Sequence, residues 1–335
     1  MEPRSHRAPV RSRPARRGRR LLATAVAASL VIGAAACADS EDEGPAAEPA
    51  TSASADEQTL EPEVSVDPGP APEIELLDAG SGEQRVLSYG PSREPATIEV
   101  TRSATARTEV PGSQPRVDET PEQTLTVEGR SEPDVDGAQR AAVTVQEFTS
   151  VDELRAAQFA TAPGFTVTWT RSADGTVREL GLAAPADATD AARAGVEITA
   201  NAISDATVVF PDEAIGEGAR WAATRQVEDA VAPTRVVTYE LIELRGDEAT
   251  IRMTTTAPDT ADTLTAPAPD GGPGVTLDVE TYEVTGEGEL TVNLRAALPI
   301  DGKTESSTRA VYVDPQTGQR TTYDEDSVLE FSSLD

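Results

Sequence analysis

Two stretches of alternating residues decide the fold, Val237-Thr238-Tyr239-Glu240-Leu241 and Leu290-Thr291-Val292-Asn293-Leu294. In each stretch apolar and polar residues alternate, which places the apolar side chains on one face of an extended strand. The same period of two recurs at Ile98 and Val100, at Leu125 and Val127, at Val143 and Val145, at Phe165, Val167 and Trp169, at Leu277 and Val279, and at Ala310 and Tyr312. Residues 73–335 are therefore predicted to consist mainly of half-buried β-strands.

Short turn sequences separate these strands. Ala173-Asp174-Gly175, Arg245-Gly246-Asp247, Asp301-Gly302-Lys303 and residues 314–318 contain the glycine and aspartate residues that hairpin turns favour. Residues 111–122 and 257–274 are rich in glycine, proline or acidic residues and are predicted to be mobile loops.

Only two segments have a helical pattern. Ser150 and Glu153 have the spacing of a capping box ahead of Leu154, Ala157 and Phe159. Residues 187–203 place four residues on one helical face, namely Ala192, Val196, Thr199 and Ile203. Because two helices cannot supply the crossovers of a parallel sheet, we predict a mainly β fold. It would have an antiparallel, strongly curved sheet or half-barrel with one or two packing helices, as one domain or two fused halves.

The first 36 residues have the charge order of a secretory signal peptide. Eight arginines and a single acid, Glu2, precede an apolar run over residues 21–36. That run has 16 residues, fewer than the roughly 20 that span a bilayer. We predict that residues 1–36 are removed, with a retained membrane helix as the alternative. The pair Arg19-Arg20 leaves the export route open between general secretion and the twin-arginine pathway.

The only cysteine of the chain, Cys37, directly follows the apolar run. The sequence Gly33-Ala34-Ala35-Ala36-Cys37 resembles the lipobox of bacterial lipoproteins, although Ala34 stands where that pattern usually has a larger aliphatic residue. The resemblance implies cleavage between Ala36 and Cys37 and attachment of lipid, including fatty acyl chains such as palmitate, to Cys37. The protein would then be anchored to the cell membrane on its extracytoplasmic face. The alternative is an ordinary cleavage site and a secreted protein.

The segment that follows Cys37 has the composition of a disordered linker. Residues 38–72 contain ten acidic residues and six prolines, with no basic and no aromatic residue. Such a chain cannot bury enough apolar surface to offset the entropy lost on ordering. The predicted organisation is a signal peptide over 1–36, a lipidated cysteine and acidic, proline-rich linker over 37–72, and a β-rich extracytoplasmic domain over 73–335.

Charge and composition exclude several classes of function. The chain has a net charge of −31, and without residues 1–36 it keeps 20 basic and 58 acidic residues. A protein this acidic repels nucleic-acid phosphates, so we predict no nucleic-acid partner. His6, the only histidine, lies in the predicted signal peptide, which leaves no Ser-His-Asp, Cys-His or histidine-metal chemistry. We therefore predict no catalytic residues, no cofactor and no metal site.

Acidic pairs offer the remaining chemistry. Asp212-Glu213 and Glu325-Asp326 are candidate acid–base pairs for a hydrolase, and residues 324–326 are a candidate calcium site. Among 58 acidic residues such clusters arise by chance, and no loop has the spacing of an EF-hand. A solvated acidic surface is the favoured interpretation.

The glycine-rich segment Gly216-Glu217-Gly218-Ala219-Arg220-Trp221 is interpreted as a tight turn that leads into a strand, with Trp221 and Ala223 facing inward. It lacks the lysine and the following helix of a phosphate-binding loop. Together with residues 76–80 and 85–89, residues 211–221 resemble an uncharacterised family of mostly actinobacterial secreted lipoproteins. The shared pattern is Pro-x-Glu-x-x-Gly-x-Gly-x-Arg-Trp, and the resemblance implies no activity.

Two functions from different classes fit these observations. In the first, the sheet and its helix enclose an apolar cleft that binds or carries a lipid-like molecule of the cell envelope, by analogy of fold. In the second, the domain is a non-enzymatic surface module that contacts another envelope protein. The ligand-binding residues of the first hypothesis are not predicted by the sequence.

Overall fold

A computed structural model describes residues 60–133, 138–266 and 274–334. The predicted signal peptide, its cleavage site at Ala36 and Cys37, and the linker as far as residue 59 lie outside the described residues. In chain order the described elements are β1 (Val64–Val66), β2 (Glu73–Asp78), β3 (Ser81–Arg85), β4 (Ser92–Glu109), β5 (Arg116–Pro133), β6 (Gln139–Ser150), α1 (Glu153–Phe159), β7 (Thr166–Arg171), β8 (Val177–Ala183), α2 (Asp190–Ala206), β9 (Ile215–Glu217), β10 (Arg220–Gln226), β11 (Thr234–Arg245), β12 (Glu248–Thr256), β13 (Thr263–Ala266), β14 (Val275–Asn293), β15 (Asp301–Val313) and β16 (Arg320–Ser333).

One antiparallel sheet contains fourteen of these strands. Its order is β1-β8-β7-β6-β5-β4-β16-β15-β14-β12-β11-β10-β2, with β13 paired to β14 beside this path, and β3 and β9 form a separate pair. The sheet consists of two meanders, β4 to β8 and β10 to β16, which join because β16 pairs with β4. The join makes the sheet continuous across the described part of the chain.

The predicted fold class is confirmed, with one difference in shape. The protein is mainly β, with a large antiparallel sheet and two helices. The sheet is not closed into a barrel and is not strongly curled, whereas the sequence suggested strong curvature or a half-barrel. It stays open because, within the described ranges, its two edge strands β1 and β2 each have a single partner, β8 and β10. Charged residues on β2, such as Glu73 and Glu75, disfavour pairing of this edge with another chain.

Helix α2 packs on one face of the sheet. Thr189 caps its first turn by accepting a hydrogen bond from the backbone N–H of Ala192 at 3.2 Å. The four residues predicted to share its apolar face are all buried, so this prediction is confirmed. Burial of Val196 and Ile203 contributes about 1.5–3 kcal/mol each. Trp169 of β7 donates its Nε1–H to Ser204 at 2.7 Å and ties the helix to the sheet.

The N-cap of helix α1 lies two residues later than predicted. Asp152, not Ser150, is the N-cap, and its carboxylate accepts from the N–H groups of Leu154 and Arg155 at 2.9 and 3.3 Å. Leu154 was expected to lead the packed face, yet it is 78% exposed, and only Phe159 is buried. The helix has seven residues, too few for a complete apolar stripe.

The described strands include one before residue 73, where the sequence placed the start of the domain. Val64–Val66 form the edge strand β1, which pairs with β8. Glu61 and Glu63 form ion pairs with Arg193 and Arg140 at 2.8 and 3.1 Å. Acidic residues that composition assigns to a solvated linker thus have basic partners on the domain.

Three of the predicted turns and loops contain strand instead. Asp301-Gly302-Lys303 lies at the start of β15, where Gly302 pairs with Leu290 and Phe331. A Cβ atom at Gly302 would lie 2.2 Å from the carbonyl oxygen of Glu289. Glycine is therefore needed here because β14 and β15 approach each other closely. Residues 111–122 are largely the start of β5, and β13 lies within 257–274.

Candidate ligand-binding cleft

The floor of the candidate site is a set of residues in register across the sheet. Arg102, Leu329, Thr304, Gly288 and Met253 are successive partners on β4, β16, β15, β14 and β12. They share the face of the sheet that carries the core, because Val100 and Phe331, two residues along on the same strands, are buried. The sheet therefore presents both a cation and apolar side chains to the side covered by α2.

The next row across the same strands consists of small side chains. Its members, again in register, are Ala104, Ser327, Ser306, Gly286 and Thr255. Ser306 and Ser327 hydrogen-bond to each other at 2.8 Å. Larger residues would fill the space above these strands, so the row forms a trough in the floor of the cleft.

One wall of the cleft is the C-terminal part of α2. Ala202 and Asp205 line the cleft and lie three residues apart, which places them on one flank of the helix. Ile198 is one turn earlier on this flank and is 48% exposed. The helix therefore covers the core with one face and borders the cleft with its flank.

A second wall is the loop between β10 and β11, residues 227–233, whose shape is fixed by hydrogen bonds to Asp229. Its carboxylate accepts from the N–H groups of Val231 and Ala232 at 2.8 and 3.0 Å and pairs with Arg235 at 2.7 Å. It also accepts the hydroxyl hydrogen of Tyr282, on β14, at 2.9 Å. Partial burial raises the pKa of this carboxyl, but the four hydrogen bonds outweigh it and the pKa lies below its usual value.

Arg225 closes the end of the cleft next to α2. Its guanidinium donates to the carbonyl oxygens of Asp205 and Thr207 at 3.4 and 3.0 Å, where a helix has unpaired carbonyl groups. Its Nε and the Tyr239 hydroxyl are buried and have no hydrogen-bond partner among the described residues. Burial raises the pKa of Tyr239, and the nearby Arg225 cation opposes that rise.

Asp205, near the end of α2, contacts both solvent and the protein atoms that line the cleft. Its side chain is exposed to solvent, yet it lines the cleft and is surrounded by protein. This crowding raises the pKa of its carboxyl, while Arg225 and Arg235 act to lower it. Its carboxyl group therefore faces the cleft.

The cleft bounded by these elements has a volume of about 450 Å³. Ligand sites are commonly about 300–1,000 Å³ and combine an apolar surface with a few polar groups. Here the apolar part comes from Leu329, Met253, Val237 and Val284, and the polar part from arginine and aspartate side chains at the rim. The arrangement suits a molecule with both an apolar and a polar portion.

Three tyrosines extend the same face beyond the cleft. Tyr282 and Tyr323 are both register partners of Ala310, and Tyr312 lies two residues further along β15. Burial raises the pKa of all three, that of Tyr312 to about 12, and in Tyr282 and Tyr323 the hydrogen-bonded carboxylates of Asp229 and Glu325 add to the rise. These rings continue the partly apolar surface towards the distal end of the long strands.

The glycine-rich segment 216–221 is structural. Gly216 donates its N–H to Ala79 at 3.0 Å, and Trp221, at the start of β10, is fully buried and donates to Val209 at 2.7 Å. The predicted turn into a strand with Trp221 and Ala223 inward is confirmed. The segment leads into a strand, and it does not line the cleft.

The acidic pairs of the sequence do not converge. Asp324 and Asp326 both contact Arg309, at 3.2 and 2.9 Å, while Glu325 points to the other face and accepts from Tyr323 at 2.5 Å. Asp212 and Glu213 are exposed in the turn before β9. Across residues 60–133, 138–266 and 274–334, no group of three histidine, cysteine or acidic residues could hold a metal ion.

The cleft residues themselves were missed by sequence reasoning. The row of small residues is recognisable only after strand pairing is known, because its members are spread along the sequence from Ala104 to Ser327. Arg102 carried a weak signal, since it follows Ile98 and Val100 in the apolar register of β4 and is charged. A charged residue at an inward-facing position indicates a special role.

Comparison with known proteins does not identify the chain. No protein-family model matches it, and no curated protein matches it in sequence. The resemblance to secreted lipoproteins remains a prediction. Neither helix of the described residues is long and apolar enough to cross a membrane.

Proposed function

We propose that the protein is an exported lipoprotein, anchored through Cys37 on the extracytoplasmic face of the cell membrane, that binds a lipid-like molecule of the envelope in the cleft. The observation that carries the proposal is the cleft of about 450 Å³ over a trough of small residues, with apolar side chains on its floor. The role is binding or carriage and not catalysis. In the cell the acidic segment after Cys37 would hold the domain away from the bilayer.

A variant that fills the trough tests the proposal. Ser306 is exposed on the cleft floor, so Ser306→Trp places an indole where the ligand would lie. Uptake of the uncharged dye N-phenyl-1-naphthylamine, followed by fluorescence, should fall at least about tenfold, because a bulky side chain in a close-fitting site removes most of the contact area. Native mass spectrometry should find a lipid with the wild-type protein and none with the variant.

The neighbouring residue supplies the control. Ser307 lies on the opposite face of β15, where it hydrogen-bonds to Asp326, so Ser307→Trp should bind dye as the wild type does. A wild-type protein that takes up no dye and carries no lipid would refute the proposal. Equal loss in both variants would place the dye elsewhere.

A second candidate function is contact with another envelope protein. Val151 and Leu154, beside the start of α1, are 69% and 78% exposed, and adjacent exposed apolar residues are a feature of interaction surfaces. In-cell crosslinking from this position that recovers the same partner repeatedly, together with an empty cleft, would favour this function over ligand binding.

A further inference from the structure

The basic residues around the cleft differ in how they are paired. Arg235 forms its ion pair with Asp229, and Arg225 donates to the carbonyl groups at the end of α2. Arg102 has neither kind of partner: among the described residues it forms no ion pair and no hydrogen bond through its side chain. Arg102 is therefore the cation of the cleft whose charge is left unpaired by the part of the chain that the structure describes.

The position of Arg102 makes this unusual. The side chain is half-buried beside Leu329, on the face that carries Val100 in the core. Burial, and then the nearby cation Arg155, lower the pKa of its guanidinium. A charge that is partly removed from water raises the free energy of the protein unless an opposite charge accompanies it.

Arg155, at the start of α1, adds to the positive potential at this end of the cleft. Among the described residues its only ion pair is with Asp152, at 3.9 Å, and that carboxylate already accepts the N–H groups that begin the helix. An anionic group placed here would interact with two guanidinium groups. Such groups bind carboxylate and phosphate through paired, charge-assisted hydrogen bonds.

The acidic groups of the cleft lie away from Arg102. Asp205 belongs to α2, near Arg225 and Arg235, and Glu228 and Asp229 belong to the β10–β11 loop. Glu287 and Glu305 also border the cleft, but they alternate with the floor residues Gly288 and Thr304, so their side chains lie on the opposite face of the sheet. From β4 to β11 the floor crosses five strand spacings, about 24 Å along the sheet. The charges would orient a bound molecule with its negative end at β4.

We propose that the ligand is an anionic amphiphile whose carboxylate or phosphate pairs with Arg102, with its apolar chain in the trough beside Leu329 and Met253. This inference rests on the proposed function and names its ligand class. The headgroup sets the direction of binding, and the small row of the floor receives the chain.

Binding to four probes tests the inference: hexadecanoate, hexadecyl phosphate, hexadecanol and inorganic phosphate. The full chain is used with Cys37→Ser, so that acyl chains of an anchor do not compete for the cleft. Displacement of N-phenyl-1-naphthylamine should show hexadecanoate or hexadecyl phosphate binding about ten- to a hundredfold more tightly than hexadecanol. Inorganic phosphate alone should not displace the dye.

The variants separate charge from fold. Arg102→Gln should remove the preference for the anionic probes and leave hexadecanol and dye binding unchanged, while Arg102→Lys should keep part of it. Arg107→Gln is the matched control, because Arg107 is an exposed residue of the same strand that pairs with Glu109.

Each outcome bears on one of the two proposals. If hexadecanol binds as tightly as hexadecanoate, or if Arg102→Gln keeps the preference, the inference is overturned and the proposed function stands. If inorganic phosphate protects the protein from unfolding as well as hexadecyl phosphate does, the site takes a free anion and the amphiphile is overturned. If no probe with an alkyl chain binds, the proposed function itself fails.

Discussion

At the level of single residues, Gly80 and Gly216 allow two backbone segments to approach closely. A Cβ atom at Gly216 would lie 2.4 Å from the carbonyl oxygen of Ser81, whereas one at Gly218 would meet nothing within 4 Å. Gly218 differs in another way, since its φ of +81° disfavours other residues. A substitution at Gly216 therefore tests a steric clash, and a substitution at Gly218 tests backbone strain alone.

Gly216→Ala should lower the free energy of unfolding by about 2–3 kcal/mol, because the added methyl group overpacks the contact between β3 and β9. Gly218→Ala should lower the free energy of unfolding by about 1 kcal/mol, because only backbone strain is added. Urea unfolding followed by the fluorescence of the buried Trp221 measures both. An equal cost in the two variants would contradict the steric explanation of Gly216.

At the level of elements, the loop 227–233 depends on one carboxylate. Asp229 joins the loop to Arg235 of β11 and to Tyr282 of β14. Because this loop is a wall of the cleft, loss of these contacts would disturb the cleft as well as the fold. Asp229→Asn should lower the free energy of unfolding at pH 7 by about 1–3 kcal/mol, because charged acceptors form stronger hydrogen bonds. It should also weaken dye binding, since the wall of the cleft loosens.

The effect of Asp229 has a defined pH dependence. Its pKa in the folded protein is lower than the usual 3.8, so the stabilisation is complete above that value and is lost as the pH falls through the folded pKa. The difference in the free energy of unfolding between the wild type and Asp229→Asn should therefore become smaller as the pH is lowered from about 4 to about 2. Urea titrations across this range measure it, with Asp259→Asn, at an exposed position, as the control. A difference that stays constant with pH would mean that the ionised carboxylate is not the stabilising group.

Across the whole molecule, the periodic parts of the sequence were predictable and the parts set by pairing were not. The alternation around Tyr239 and Leu290 predicted buried strands, because burial on one face of a strand leaves a period of two. Gly302 was misread as a turn, since a glycine needed for close strand approach looks the same in sequence. Arg171 is fully buried, stacks 4.0 Å above the ring of Tyr89 and donates to Ala296 at 2.7 Å, which only distant segments brought together could reveal. The residues of the cleft are likewise brought together by strand pairing, so the sequence alone did not predict them.

The predicted anchor concerns the whole protein, because it sets the compartment in which the cleft meets its ligand. In cells given radiolabelled palmitate, the wild-type protein should become labelled and remain with the membrane fraction. Cys37→Ser should lose the label and be released, since Cys37 is the only thiol of the chain and stable anchoring requires covalently attached acyl chains. Ser40→Ala, which keeps the cysteine, should behave as the wild type. A Cys37→Ser protein that stays in the membrane, with Met1 still at its N-terminus, would show instead that residues 21–36 are retained as a membrane segment, and the carrier proposal would then no longer depend on lipidation.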